Sequence, residues 1–174
     1  MDILILILLS VVMLRIAYVD YREQYIYDID VLSGAALSIA YNFCFSAVET
    51  SMKGGVCGFA VGYVIFAVTK QVYGVEAFGF GDVLLLGVLG LFFGFPVFFH
   101  YFAITIIITG LVASCFLLYD RSAATMAVPM APIFIGGGFS YVLSGYPSIE
   151  RFVFKSCYGI CYEIYGSIEL LLGI

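Results

Sequence analysis

Apolar runs of bilayer length, broken by short clusters of charge, glycine or proline, recur along nearly the whole chain. Residues 3–19 form the first run, and a polar segment over 20–30 follows it. A second run covers 31–48 and ends at Glu49-Thr50-Ser51-Met52-Lys53; a third covers 54–72. In the third, Gly54, Gly58 and Gly62 stand four apart, so they share a helical face and predict close contact with a neighbouring helix. After a polar link at 73–82, residues 83–119 are almost unbroken apolar, too long for a single crossing. Gly94-Phe95-Pro96 is the natural division and gives runs four and five. Asp120-Arg121-Ser122 closes the fifth. The sixth covers 128–143, where Pro129, Pro132 and Gly136-Gly137-Gly138 predict irregular backbone near its start.

The tail, 149–174, reads differently. Arg151, Lys155, Gly159 and Glu163 recur every four residues while Phe152, Tyr158, Ile160 and Ile164 fill other faces, which predicts an amphipathic helix at the membrane interface or against the bundle. A seventh span with one polar face is the alternative. The expected architecture is an all-α membrane protein, a polytopic bundle of about six transmembrane helices. One transmembrane domain covers 1–148, and a C-terminal amphipathic or membrane-interface helix covers 149–174.

Composition supports the membrane reading. The chain has 174 residues, 64% hydrophobic and 11% charged, with mean hydropathy +1.13, a balance no water-soluble domain needs. At about 20 residues per crossing, little length is left for a sizeable soluble domain. No basic run or basic–aromatic stripe points to nucleic acid. The first run carries Asp2, lacks a basic start and meets Asp20 without a small-residue cleavage site, so it reads as a retained span rather than a signal peptide. The cysteines (Cys44, Cys57, Cys115, Cys157 and Cys161) form no Cys-x-x-Cys pair, and apolar filler is the reading for them. His100 sits among phenylalanines. No metal or cofactor is implied.

The candidate chemistry lies in two acids. Asp20 closes the first run and Asp82, in Gly79-Phe80-Gly81-Asp82, opens the fourth. An even number of crossings separates them, so both face one side of the bilayer, and two further crossings bring Val128-Pro129-Met130-Ala131-Pro132 to that side. Arg15, Arg22, Lys70 and Arg121 fall on this face against Lys53, Arg151 and Lys155 on the other, which favours a cytoplasmic position. Acids at membrane depth are costly and persist mainly where they meet an interior or a wet cavity. Two carboxylates that share one water resist double ionisation, leaving a base to take a proton from water and an acid to assist a peptide carbonyl. Gly79 and Gly81 let an extended peptide's backbone come close. The plainer readings are that Asp82 caps a helix and that Asp20 is an interfacial acid paired with Arg22. Glu23, Asp28, Asp30 and Glu76 read as solvated loop acids.

Three blocks, in this order and spacing, give the chain a family likeness. Asp20-Tyr21-Arg22-Glu23-Gln24-Tyr25-Ile26-Tyr27-Asp28, Gly79-Phe80-Gly81-Asp82-Val83-Leu84-Leu85-Leu86 and Val128-Pro129-Met130-Ala131-Pro132-Ile133 resemble those of the type IV prepilin peptidases. These are membrane aspartyl proteases of the Gly-x-Gly-Asp type, and the likeness is to their short stand-alone form, over residues 1–145. The resemblance implies Asp20 and Asp82 as the catalytic pair, and Gly79, Gly81, Pro129 and Pro132 as residues that bind substrate or shape the site. It implies a substrate as well: the short polar N-terminal leader of a prepilin or pilin-like protein, cut at the cytoplasmic face of a prokaryotic inner membrane. Such leaders usually end in glycine and precede a long hydrophobic helix, which cleavage frees for assembly into a pilus or secretion pseudopilus.

There are departures from the pattern. Tyr27 stands where the family usually has proline, and Leu84 where lysine is common. The first cytoplasmic loop has no Cys-x-x-Cys pair of the kind larger bifunctional members carry, so cleavage without methylation is expected. Two other functions compete. A presenilin or signal-peptide-peptidase-like protease would place its first acid in a Tyr-Asp pair within a span. A non-enzymatic transport or assembly subunit would favour mid-span acids and an inverted repeat.

Overall fold

A computed structural model describes residues 2–45, 47–73, 78–119 and 130–143. Pro129, Glu76, Arg121 and the tail at 149–174, with Cys157 and Cys161, lie outside the described residues. The chain divides into two compact units, Met1–Gly138 and Phe139–Ile174. Of the second, only 139–143 are described, as the last residues of a helix. Every regular element among the described residues is helical: α1 (Asp2–Glu23), α2 (Asp28–Cys44), α3 (Val48–Tyr73), α4 (Phe80–Phe93), α5 (Val97–Tyr119) and α6 (Ala131–Leu143).

α4 is the central element of the first unit. Val83, Leu85, Leu86, Val88, Leu89 and Phe93 are all buried, so the helix is apolar around its circumference, as an enclosed helix must be. α3 lies against it along a face of small residues: Ser51, Gly54, Gly55, Gly58 and Gly62 are its buried positions. A Cβ on Gly54 would strike the Gly90 carbonyl, and one on Gly58 the Leu86 carbonyl; on Gly62 it would stand 3.0 Å from the Val83 Cα. The glycine stripe expected to make a close helix contact makes it with α4.

The outward faces are apolar. α2 buries Asp30, Gly34, Ser38 and Asn42 while Ile29, Leu32 and Phe43 are exposed. α3 buries serine and glycine and exposes Val56, Val64, Val68 and Val72. Such helices are inside out by the standards of a water-soluble protein. Among the described residues α1 (over Ile3–Glu23) and α3 (over Val48–Val72) are long and apolar enough to cross a membrane. α4 and α6 are shorter, and α5 is apolar over Val97–Leu111.

Several boundaries differ from those drawn on hydropathy. α1 continues through Asp20 to Glu23, and α3 starts at Val48, taking in Glu49 to Lys53. Charge ends an apolar run, but backbone hydrogen bonding continues through it, here with Lys53 Nζ donating to Glu49 Oε1 at 2.6 Å. The break at Gly94-Phe95-Pro96 falls where expected, with Gly94 at φ +70°, a conformation that favours glycine. α6 is regular from Ala131 through the glycine triplet, and Met130 before it is a bend; 128 and 129, the start of the run where irregular backbone is expected, lie outside the described residues. Pro132 lies in its first turn, where a missing N–H costs nothing.

The carboxy-terminal end of α4 is closed by side chains. Asn42 Nδ2 donates to the Ser38, Leu91 and Phe92 carbonyls at 3.0, 3.0 and 3.2 Å. Ser51 Oγ donates to the Leu91 carbonyl at 2.6 Å, and the Phe95 N–H to the Thr50 carbonyl at 2.8 Å. The Leu91 and Phe92 carbonyls, which lack intrahelical partners, are thereby bonded by side chains of α2 and α3.

Candidate active site

The amino-terminal end of α4 collects the acids. α1 buries Leu9, Met13, Ile16 and Asp20, one helical face at spacings of three and four, so the stripe that packs its core also turns Asp20 inward. Asp20 is 6% exposed, and its Oδ2 accepts the Ala131 N–H at 3.0 Å. That donor belongs to the first residue of α6, whose N–H has no partner within its own helix. Its hydrogen-bond partner is therefore a helix end, not Arg22, which is exposed.

Asp82 is the third residue of α4, following Gly79 as the residue that caps the helix. Its Oδ2 accepts the Gly79 N–H at 3.2 Å, while Gly79 has no side chain to return the bond. The capping reading thus accounts for one oxygen. The other, Oδ1, is buried and has no hydrogen-bond partner. Asp82 also lies within the electrostatic reach of Asp20. Carboxyl groups 62 positions apart, from the end of α1 and the start of α4, thus lie within electrostatic range of each other, with Asp20 bonded to the start of α6.

The glycines of this end have distinct roles. A Cβ on Gly81 would stand 3.0 Å from the Ile26 Cβ, so the loop over 24–27 rests directly on the first turn of α4. Ile26 is buried, whereas Tyr25 and Tyr27 flank it exposed. Gln24 turns the chain with φ +53°, and its N–H donates to the Asp20 carbonyl at 2.9 Å. Gly79 supplies the N–H that orients Asp82. Pro132 is half-buried in the first turn of α6, one residue beyond the Asp20 donor.

One acid departs from expectation. Asp30, read from sequence as a solvated loop acid, lies in the first turn of α2 and is 3% exposed. Its Oδ1 pairs with Arg15 Nη1 at 3.0 Å. Glu23 and Asp28 are exposed as expected, and Glu23 Oε2 accepts the Tyr27 hydroxyl at 2.9 Å. The signal for Asp30 was present in the chain: Asp30, Gly34, Ser38 and Asn42 stand four apart, a continuous small and polar face that an apolar-run reading passes over. Among the described residues no cluster of His, Cys, Asp and Glu is arranged to hold a metal ion.

The described residues form an all-helical fold with apolar outward faces and two acids in electrostatic range of each other at one end of α4. The sequence profile of the type IV leader peptidase family matches residues 7–118, and the chain belongs to that family. It is similar to a prepilin leader peptidase/N-methyltransferase of Pseudomonas putida, 29% identical over 146 residues, which cover 82% of this chain and 50% of the relative. A protein of the same description from Haemophilus influenzae is 30% identical over 125 residues, covering 70% and 52%. The chain thus spans about half the length of the curated relatives it matches. No solved structure matches it.

Proposed function

We propose that the chain is a membrane aspartic endopeptidase that removes the leader of a prepilin or pilin-like protein, with Asp20 and Asp82 activating one water between them. The carrying observation is the buried Asp82 Oδ1 left without a partner, on an acid within the electrostatic range of the buried Asp20. A structural cap needs one oxygen; a water-activating acid needs a second. The Ala131 N–H fixes Asp20 through Oδ2, as the Gly79 N–H fixes Asp82. Each carboxyl is held on one side and able to act on the other. With a single negative charge shared, the ionised member takes a proton from water, and the protonated member donates to the carbonyl oxygen of the scissile peptide.

Gly79, Gly81 and the Pro129–Pro132 segment shape the cleft in this reading. The described helices, with the tail as an interfacial helix, form a six-span bundle in a prokaryotic inner membrane, with the acids on the cytoplasmic side. Exposed Tyr18, Tyr21, Tyr25 and Tyr27 at the acid-bearing end support an interfacial depth for the site, because tyrosine concentrates at headgroup level. Family membership and the prepilin peptidase activity for which the relatives are named support a prepilin substrate.

The test is to reconstitute the full chain in lipid vesicles with a panel of pilin-like proteins and identify products by mass spectrometry. A single cut at the junction of polar leader and apolar helix is expected. Intact substrates across a panel that a known prepilin peptidase cleaves would overturn the reading.

A further inference from the structure

We propose that Arg15 and Asp30 form a positioning pair that fixes where Asp20 stands relative to Asp82, an inference that rests on the peptidase reading of those acids. The pair joins α1 to α2 through Arg15 Nη1 and Asp30 Oδ1 at 3.0 Å. Asp20 lies five positions beyond Arg15 on α1, and the intervening loop sets Ile26 against Gly81, the residue before Asp82. The α1–α2 hairpin is thus tied by an ion pair close to its turn and, at the turn itself, by a close contact with α4. Asp20 sits between the two ties. A slide of α1 along α2 would carry Asp20 away from Asp82 while Ile26 stayed on Gly81.

The two members differ in a way that suits such a tie. The Asp30 side chain is 4% exposed and that of Arg15 is 59% exposed. Asp30 Oδ2 is buried without a hydrogen-bond partner, so the guanidinium is the one side chain shown to meet the buried carboxylate. A buried charge with a single partner stays with that partner, because separation leaves it uncompensated. Asp30 is also in the first turn of α2, where the helix dipole favours an acid, so the anchor belongs to α2 and α1 is the element held to it. Neither residue touches the reacting atoms.

The experiment reads geometry and turnover separately. Asp20→Cys/Asp82→Cys is made in a chain whose five native cysteines are serine, and a short bifunctional thiol reagent is applied in lipid vesicles. The cross-linked peptide pair is quantified by mass spectrometry per folded molecule, with folding followed by thermal melting. The link is expected to form with Arg15 and Asp30 intact, to fall in Arg15→Gln and in Asp30→Asn, and to recover in Arg15→Lys. In the chain with both acids present, Arg15→Gln and Asp30→Asn should lower kcat by about tenfold to a hundredfold and leave KM unchanged. An unchanged link yield in both variants overturns the proposal even if they melt earlier, since the pair then only stabilises. Failure of Arg15→Lys to recover also overturns it. Should Arg15→Gln give no folded protein, Asp30→Glu decides: it keeps the charge but lengthens the arm, and an unchanged link counts against the pair. If the intact chain cleaves no leader, the peptidase reading fails, while the cross-link still decides the geometry.

Discussion

The two ends of α4 treat polar groups in opposite ways. At the carboxy-terminal end, Asn42, Ser51 and Gly94 bond carbonyls of the last turn, with Asn42 Nδ2 alone reaching both Leu91 and Phe92. At the amino-terminal end, Asp82 uses one oxygen for the Gly79 N–H and leaves Oδ1 unpartnered. Asp82 Oδ1 is itself buried, and an unsatisfied polar atom there is costly. The open oxygen is the atom the proposed water-activating role would use, whereas the bonded carbonyls at the other end serve the fold. In the proposed reading, that contrast separates a polar residue that closes a helix from one that does chemistry.

Stability measurements sharpen the contrast. Gly54→Leu should have the largest effect, about 3 kcal/mol or more, because the new side chain would be driven into the Gly90 and Gly94 backbone. Thermal or denaturant unfolding in detergent would show it, together with loss of the α3–α4 contact. Asn42→Ala comes next at about 2 kcal/mol, since it strands the Phe92 carbonyl and removes the amide that ties α2 to the end of α4. Turnover per folded molecule should stay at the wild-type level, which makes this variant the control for the closed end. Asp82→Asn should cost least, under about 1 kcal/mol, because an amide oxygen still accepts the Gly79 N–H. If Asp82→Asn destabilised more than Asn42→Ala, the acid would be a structural cap and the two ends alike.

How much of this was legible in the sequence depends on whether side chains or backbone do the work. The glycine stripe at 54, 58 and 62 and the break at Gly94-Phe95-Pro96 were readable, because residue type alone dictates close approach or a turn. The inward aim of Asp20 follows from its register with Leu9, Met13 and Ile16. Its partner was not readable, because the Ala131 N–H is a backbone group whose availability depends on α6 starting there. Asp30 was misplaced because a charged residue ends an apolar run on paper. In the fold it begins α2 and is neutralised by Arg15 from another helix, a pairing 15 positions apart that no local pattern announces. Helix ends ran past the apolar limits for the same reason, as with Glu49–Lys53 in α3.

The most direct measurement is the cleavage rate of a reconstituted pilin-like substrate by Asp20→Asn, Asp82→Asn and the double variant. Acids that share one water act as a unit, so each single change should lower turnover by about 10²- to 10⁴-fold, and the double should be little worse than either. All three should still insert and melt close to the unaltered chain. Wild-type turnover in either single variant would contradict the account.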